Sequence, residues 1–194
     1  MKNTEHRTQN KGGRRQSFVL CSVFCVPGGA RHRLRQFFAA VGAHVSIEER
    51  VLVVRLLGPG ELRLFERMPR FDQRHCLDVY HTLVRAGHTD PLLLRAALIH
   101  DCGKVGDHGR TIPLLYYGLF VVLKKYAPSL YQRAARDGRG LLWPFAVHAA
   151  HERRSALLAE MAGSPPDLVG ILRDYAARGV TERTAALLWA DEQN

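Results

Sequence analysis

The chain has 194 residues, 46% hydrophobic and 24% charged, with a formal net charge of +10. That length reads as one domain, two at most, and it suffices to bury a sizeable core. Wholesale disorder, a collagen and a disulfide-stapled miniprotein are excluded, and the longest apolar stretch, Ile112 to Leu123, falls short of the ~18 residues of a membrane-spanning helix.

The charge is uneven. Residues 1–35 carry eight basic side chains against the single acid Glu5, a net +7. Residues 1–30 therefore read as a basic, disordered arm, and residues 31–194 as the folded body. Such an arm suits contact with nucleic acid or an anionic membrane surface, a lesser reading than a solvated tail. Arg14-Arg15 stand before a largely apolar stretch of nine residues, Phe18 to Val26. The polar stretch ahead of them is too long for a secretory signal, so an over-long start or a weakly packed arm is expected. Cys21, Cys25, Cys76 and Cys102 contain no CxxC pair. They read as reduced thiols of a cytoplasmic protein, with Cys76 and Cys102 as packing residues.

The body reads as helices in chain order. Arg31 to Val41 sets Leu34, Phe37, Phe38 and Val41 on one face. Ser46-Ile47-Glu48-Glu49 is a capping box, predicting a helix to about Leu57, stopped by Gly58-Pro59-Gly60. Glu61 to Met68 is a short amphipathic piece closed by Pro69. Asp72 is a candidate N-cap for a helix through Ala86, with Gly87 as its stop. Asp90-Pro91 starts the next helix, apolar nearly all round and so expected at the centre. Lys104 to Arg110 reads as a polar loop, and Ile112 to Tyr126 as a helix over the core. Asp137-Gly138-Arg139-Gly140 breaks the chain. Pro144 to Ala162, Ser164 to Ala177 and a helix capped by Thr181 complete the body. No strand alternates convincingly. The expectation is an all-α single domain of roughly seven to nine helices.

Chemistry concentrates at His100-Asp101, the end of the most apolar helix. A buried charge there must be paired or coordinated. Gly103 allows a sharp turn and brings Lys104 back to the same spot. His75 starts the preceding helix, and the short Gly87-His88-Thr89 loop makes the two helices antiparallel. His75 and His100-Asp101 therefore converge. His81 lies about 240° further round the helix and points elsewhere. Asp191 follows an apolar turn on the last helix and supplies a fourth ligand. Two imidazoles and two carboxylates suit one divalent cation: Mn²⁺, Fe²⁺, Mg²⁺ or Co²⁺, with zinc also admissible.

This constellation resembles the H…HD…D signature of the HD-domain metal-dependent phosphohydrolases. Ala96 to Lys104 resembles that family's "AALLHDxGK". His151-Glu152 with Ala156 to Glu160 resembles its "HPExGAEL" helix, and Ser164-Pro165-Pro166-Asp167 the start of the next. The resemblance spans about residues 31–194. It implies an all-helical HD-type bundle and hydrolysis of a small phosphomonoester or phosphodiester, often a nucleotide. It makes His75, His100, Asp101 and Asp191 the metal ligands. Asp101 would also orient the attacking water, and Lys104 would offset phosphate charge. The two-metal members carry a His-His pair where this chain has Arg173-Asp174-Tyr175, so one metal is expected. His148, His151, Asp174 and Arg110 are candidates for a second metal or for substrate. The insertion from Asp107 to Trp143 is expected to lid the site, with Arg110, Lys124 and Lys125 available to an anion. The other function class consistent with these residues is a non-catalytic metal- or nucleotide-binding module of the same fold.

Overall fold

The structure is a computed structural model, and it describes residues 44–194. The basic arm, Cys21 and Cys25, and the helix expected from Arg31 to Val41 lie outside the described residues. Among the described residues there are nine α-helices and no strand, so the fold is all-α. They are α1 (Ile47–Leu56), α2 (Pro59–Arg67), α3 (Arg70–Arg85), α4 (Pro91–Ile99), α5 (Leu114–Tyr126), α6 (Pro128–Asp137), α7 (Trp143–Met161), α8 (Pro166–Ala176) and α9 (Glu182–Gln193). None of them is long and apolar enough to cross a membrane.

Local chemistry sets most of the boundaries. Ser46 and Glu49 form the expected capping box. The Asp90 carboxylate accepts from the Leu92 and Leu93 N–H groups at 2.9 and 3.4 Å. Thr181 accepts from the Thr184 N–H at 3.2 Å. Two expectations need correction, and two further segments hold helical turns that the sequence did not announce. Gly58-Pro59-Gly60 does not merely stop a helix: Gly58 caps α2 and Pro59 opens it, because proline suits a first helical turn. Asp72 is not an N-cap: α3 starts two residues earlier at Arg70, behind Pro69, and this leaves Asp72 buried in the first turn. Residues 128–137 form α6, bounded by Pro128 at its start and by Gly138 at φ 58° after its end. Lys104 to Arg110, read as a loop, contains two short 3₁₀ turns.

The main core gathers α1–α4 with α7, α8 and α9 around α4. Ala96, Ala97, Leu98 and Ile99 are fully buried, as an all-round apolar helix requires. The one charge on α4, Arg95, leaves the core sideways to Glu61. Its guanidinium donates to both Glu61 oxygens, at 2.8 and 2.9–3.1 Å, while Glu61 also accepts from the Gly58 N–H. Glu61 is almost fully buried. Glu61→Ala removes the cap and strands Arg95, at an expected cost of about 3 kcal/mol, read as a lower urea midpoint.

A second cluster lies over the start of α7. Ile112, Phe120, Tyr131, Ala134 and Phe145 pack there, mostly from α5 and α6. This small core holds α5 against the site end of the main bundle, where Phe71 of α3 meets the Tyr117 ring edge-on at 5.2 Å.

Candidate metal centre

The antiparallel packing of α3 on α4 brings His75 beside His100, with ring centroids 5.4 Å apart. His100 ends α4 and is fully buried. Its Nδ1 lies 2.9 Å from the Ala97 carbonyl. A carbonyl can only accept, so Nδ1 carries a proton, and in the neutral ring Nε2 presents its lone pair. That Nε2 is buried and has no hydrogen-bond partner. Leaving a buried polar atom unmatched costs about 1–3 kcal/mol.

Carboxylates surround this atom without bonding it. Asp101 Oδ2 is 3.7 Å away and Asp191 Oδ1 is 3.6 Å away. His75 Nε2 lies 2.9 Å from Asp191 Oδ1 and 3.5 Å from Asp101 Oδ2. His75, His100 and Asp101 each offer a ligand atom within 4.8 Å of the others, a group able to hold a metal ion. Asp191 joins them from α9, 116 residues after His75. The Tyr175 hydroxyl fixes Asp191 by donating to Oδ2 at 2.8 Å. Tyr175 also sets its ring edge against His100, at a centroid distance of 5.7 Å.

The turn after α4 supplies the counter-charge. Lys104 Nζ bonds Asp101 Oδ2 directly and lies 3.6 Å from Asp72 Oδ1. It is therefore held between two buried carboxylates, beside Asp101 as the sequence suggested and against Asp72 as well. The Tyr117 hydroxyl donates to Asp72 Oδ2 at 3.2 Å, and Lys104 sits 5.5 Å from the Tyr117 ring centroid. On the far side His151 Nε2 stands 3.4 Å from Asp101 Oδ1, while its Nδ1 donates to the His148 carbonyl at 2.6 Å.

These contacts decide the protonation of the site. Burial drives the Asp101 carboxyl upward, but Lys104 and His100 outweigh it and hold it well below the usual range. Burial likewise opposes Asp191, and the neighbouring imidazoles of His100 and His75 bring it down. For Asp72 burial wins over the pull of Lys104, and its carboxyl is raised. Burial disfavours charge on His100 and Lys104, yet Asp101 keeps both raised well above their usual ranges. The excess of carboxylates thus draws protons onto the cluster.

Gly103 is required by close approach, since its φ is not positive. A Cβ there would lie 2.1 Å from the His151 carbonyl oxygen and 2.7 Å from the Ser155 nitrogen. Instead the Gly103 N–H donates to Ser155 Oγ at 2.9 Å, seating the turn on α7.

The sequence-predicted residues therefore divide. His75, His100, Asp101, Asp191 and Lys104 come together, and His151 reaches Asp101. His148 lies next to the site but belongs to the second cluster: it stacks on Phe120 at 4.1 Å and pairs with the Tyr131 hydroxyl at 2.7 Å. Burial lowers it to about 2, so it is neutral. Asp174 makes no hydrogen bond or ion pair with the cluster; its carbonyl accepts from the Gly179 N–H. Arg110 stacks on Trp143 at 4.3 Å and makes no ion pair with the cluster. Asp72, Tyr117 and Tyr175 were missed. Asp72 carried a signal, lying three residues before His75 and hence on the same helix face. The two tyrosines carried none.

No family model matches this sequence, no curated protein matches it, and no solved structure matches its fold.

Tyr175→Phe tests the support of Asp191. It removes one hydrogen bond to a charged acceptor, with an expected loss of about 1.5–3 kcal/mol. Thermal unfolding at neutral pH reads it, and an unchanged midpoint would show that Asp191 is held without the hydroxyl.

Proposed function

We propose that this chain is a metal-dependent phosphohydrolase of the HD type, acting on a small phosphomonoester or phosphodiester. The observation that carries the proposal is His100 Nε2, a buried nitrogen with no hydrogen-bond partner, ringed by His75, Asp101 and Asp191. The charge count supports it. Three carboxylates, Asp72, Asp101 and Asp191, face the single ammonium of Lys104, and this excess is what draws a proton onto His100 when no cation is there. A divalent cation matches that excess.

His75, His100, Asp101 and Asp191 would hold the cation. The mixed nitrogen and oxygen donors suit Mn²⁺, Fe²⁺, Mg²⁺ or Co²⁺, with zinc also admissible. A cation so held acidifies water and polarises a phosphoryl oxygen. The chain's own groups do the rest. Lys104 and His151 grip Asp101 from opposite sides and fix its orientation. Asp72 and Tyr117 fix Lys104 in turn. Tyr175 keeps Asp191 turned toward the two histidines.

The test is to strip the protein with a chelator and add back each of the five cations in turn. Hydrolysis of chromogenic phosphomonoesters and phosphodiesters is then followed, with Asp101→Ala beside the wild type. Activity that needs metal and disappears in the variant supports the hydrolase. Stoichiometric metal without turnover on any ester or nucleotide supports a binding module instead. Failure to bind any of the cations sinks both.

A further inference from the structure

Helix α5 turns opposite faces to different surroundings. Tyr117 and Phe120 face the site and the second core. Leu115, Leu119, Val122 and Tyr126 recur at intervals of four, three and four, so they form one stripe along the other face. That stripe is bare: Leu115 is 77% exposed and Tyr126 73%. Leu130 on α6 and Leu141 after it add further exposed apolar surface. A contiguous apolar face of this kind marks an interaction surface.

The charges around it decide the occupant. From Asp107 to Trp143 the chain holds six basic residues and two acidic ones. Lys125, Arg133, Arg136 and Arg139 are all exposed, and Asp137 is the one acid on α5 or α6. Pairing this surface with a second copy would bring two basic sets together without counter-charges, which is unfavourable. An apolar helix face bordered by lysine and arginine, with a tyrosine near its end, fits the boundary between headgroups and acyl chains of an anionic bilayer. α5 is too short to span one.

We propose that the exposed face of α5, with the basic flank of α6, docks on an anionic lipid surface, α5 lying in its plane. This is independent of the metal centre.

The test is co-sedimentation of the full chain with vesicles of phosphatidylcholine alone, or of phosphatidylcholine with phosphatidylglycerol. Wild type is compared with a triple variant, Leu115→Gln, Leu119→Gln and Val122→Gln. These positions face solvent, and circular dichroism checks that the helices remain. The expected result is binding to the anionic vesicles only, weakened about tenfold or more in the triple variant. Equal binding of the two proteins would overturn the proposal, since the arm alone would then account for attachment. Absence of binding to anionic vesicles overturns it as well. So does a wild-type dimer that the triple variant converts to monomer, which would make the face an interface between copies. Release of the anionic vesicles by added salt gives a separate reading: Arg133→Glu with Arg136→Glu, both on α6, should lower the midpoint salt concentration for release. No shift would remove the basic flank from the docking surface.

Discussion

Replacing Asp101 by alanine should abolish metal binding and also lower the stability of the metal-free protein by about 3–5 kcal/mol. Two effects coincide at one carboxylate. Asp101 belongs to the group of atoms within 4.8 Å of one another that can hold a cation. It also bonds Lys104 and stands 3.4–3.7 Å from His151, His75 and His100. Without it, Lys104 keeps only Asp72, at 3.6 Å. Asp101→Asn separates the two effects: it keeps the shape and part of the hydrogen bonding, so it should recover some stability but little metal affinity. Titration calorimetry and urea unfolding on the same samples read both. Wild-type metal affinity in Asp101→Ala would remove Asp101 from the ligand set. An unchanged urea midpoint would mean that Asp72 alone satisfies Lys104.

The second large effect is expected at Gly103→Ala. The added methyl would meet the His151 carbonyl oxygen at 2.1 Å, the Ser155 nitrogen at 2.7 Å and Arg154 Cβ at 2.9 Å. Two of those atoms are backbone, and one side chain cannot rotate away from them. The turn must therefore lift off α7, breaking the bond from the Gly103 N–H to Ser155 Oγ. Overpacking of this severity lies at the upper end of its range, about 3 kcal/mol. For a chain of this size that is a fall in melting temperature of roughly 10 °C. Because Asp101 and Lys104 flank the turn, metal affinity should fall with it. A melting temperature within a degree or two of wild type would show that α7 yields easily.

The site was legible where local rules and short connections fixed the geometry. His75 and His100 converge because Gly87, His88 and Thr89 leave α3 and α4 no room to pack other than antiparallel. Asp90, Ser46 and Thr181 announce their helices through side-chain oxygens that satisfy free N–H groups. Where two signals competed, the reading failed. Asp72 resembles an N-cap, but Pro69 already sets the start of α3, and the carboxylate is needed by Lys104 instead. Helix α6 was passed over because its proline and glycine boundaries enclose a short, largely polar run. The tyrosines were invisible for another reason. A tyrosine in an apolar pattern counts as core, and only the fold shows that the Tyr117 and Tyr175 hydroxyls end on Asp72 and Asp191. For Lys104 the position beside Asp101 was right, and the second carboxylate, Asp72, was missed because it was taken for a helix cap.

The ligand from α9 makes the site a reporter of folding completion. Residues 75 and 191 are 116 positions apart, and the order of the chain puts five other helices between theirs. No fragment lacking α9 can assemble the full donor set, and an opened α9 leaves only the donors of α3 and α4. A cation that binds only the closed form stabilises it by about 2.7 kcal/mol at a hundredfold excess over its dissociation constant. That free energy falls on every opening that separates α9 from α3. Amide exchange in α9 and in the first turns of α3 should therefore slow together when metal is added, while α6, outside that closure, exchanges at its former rate.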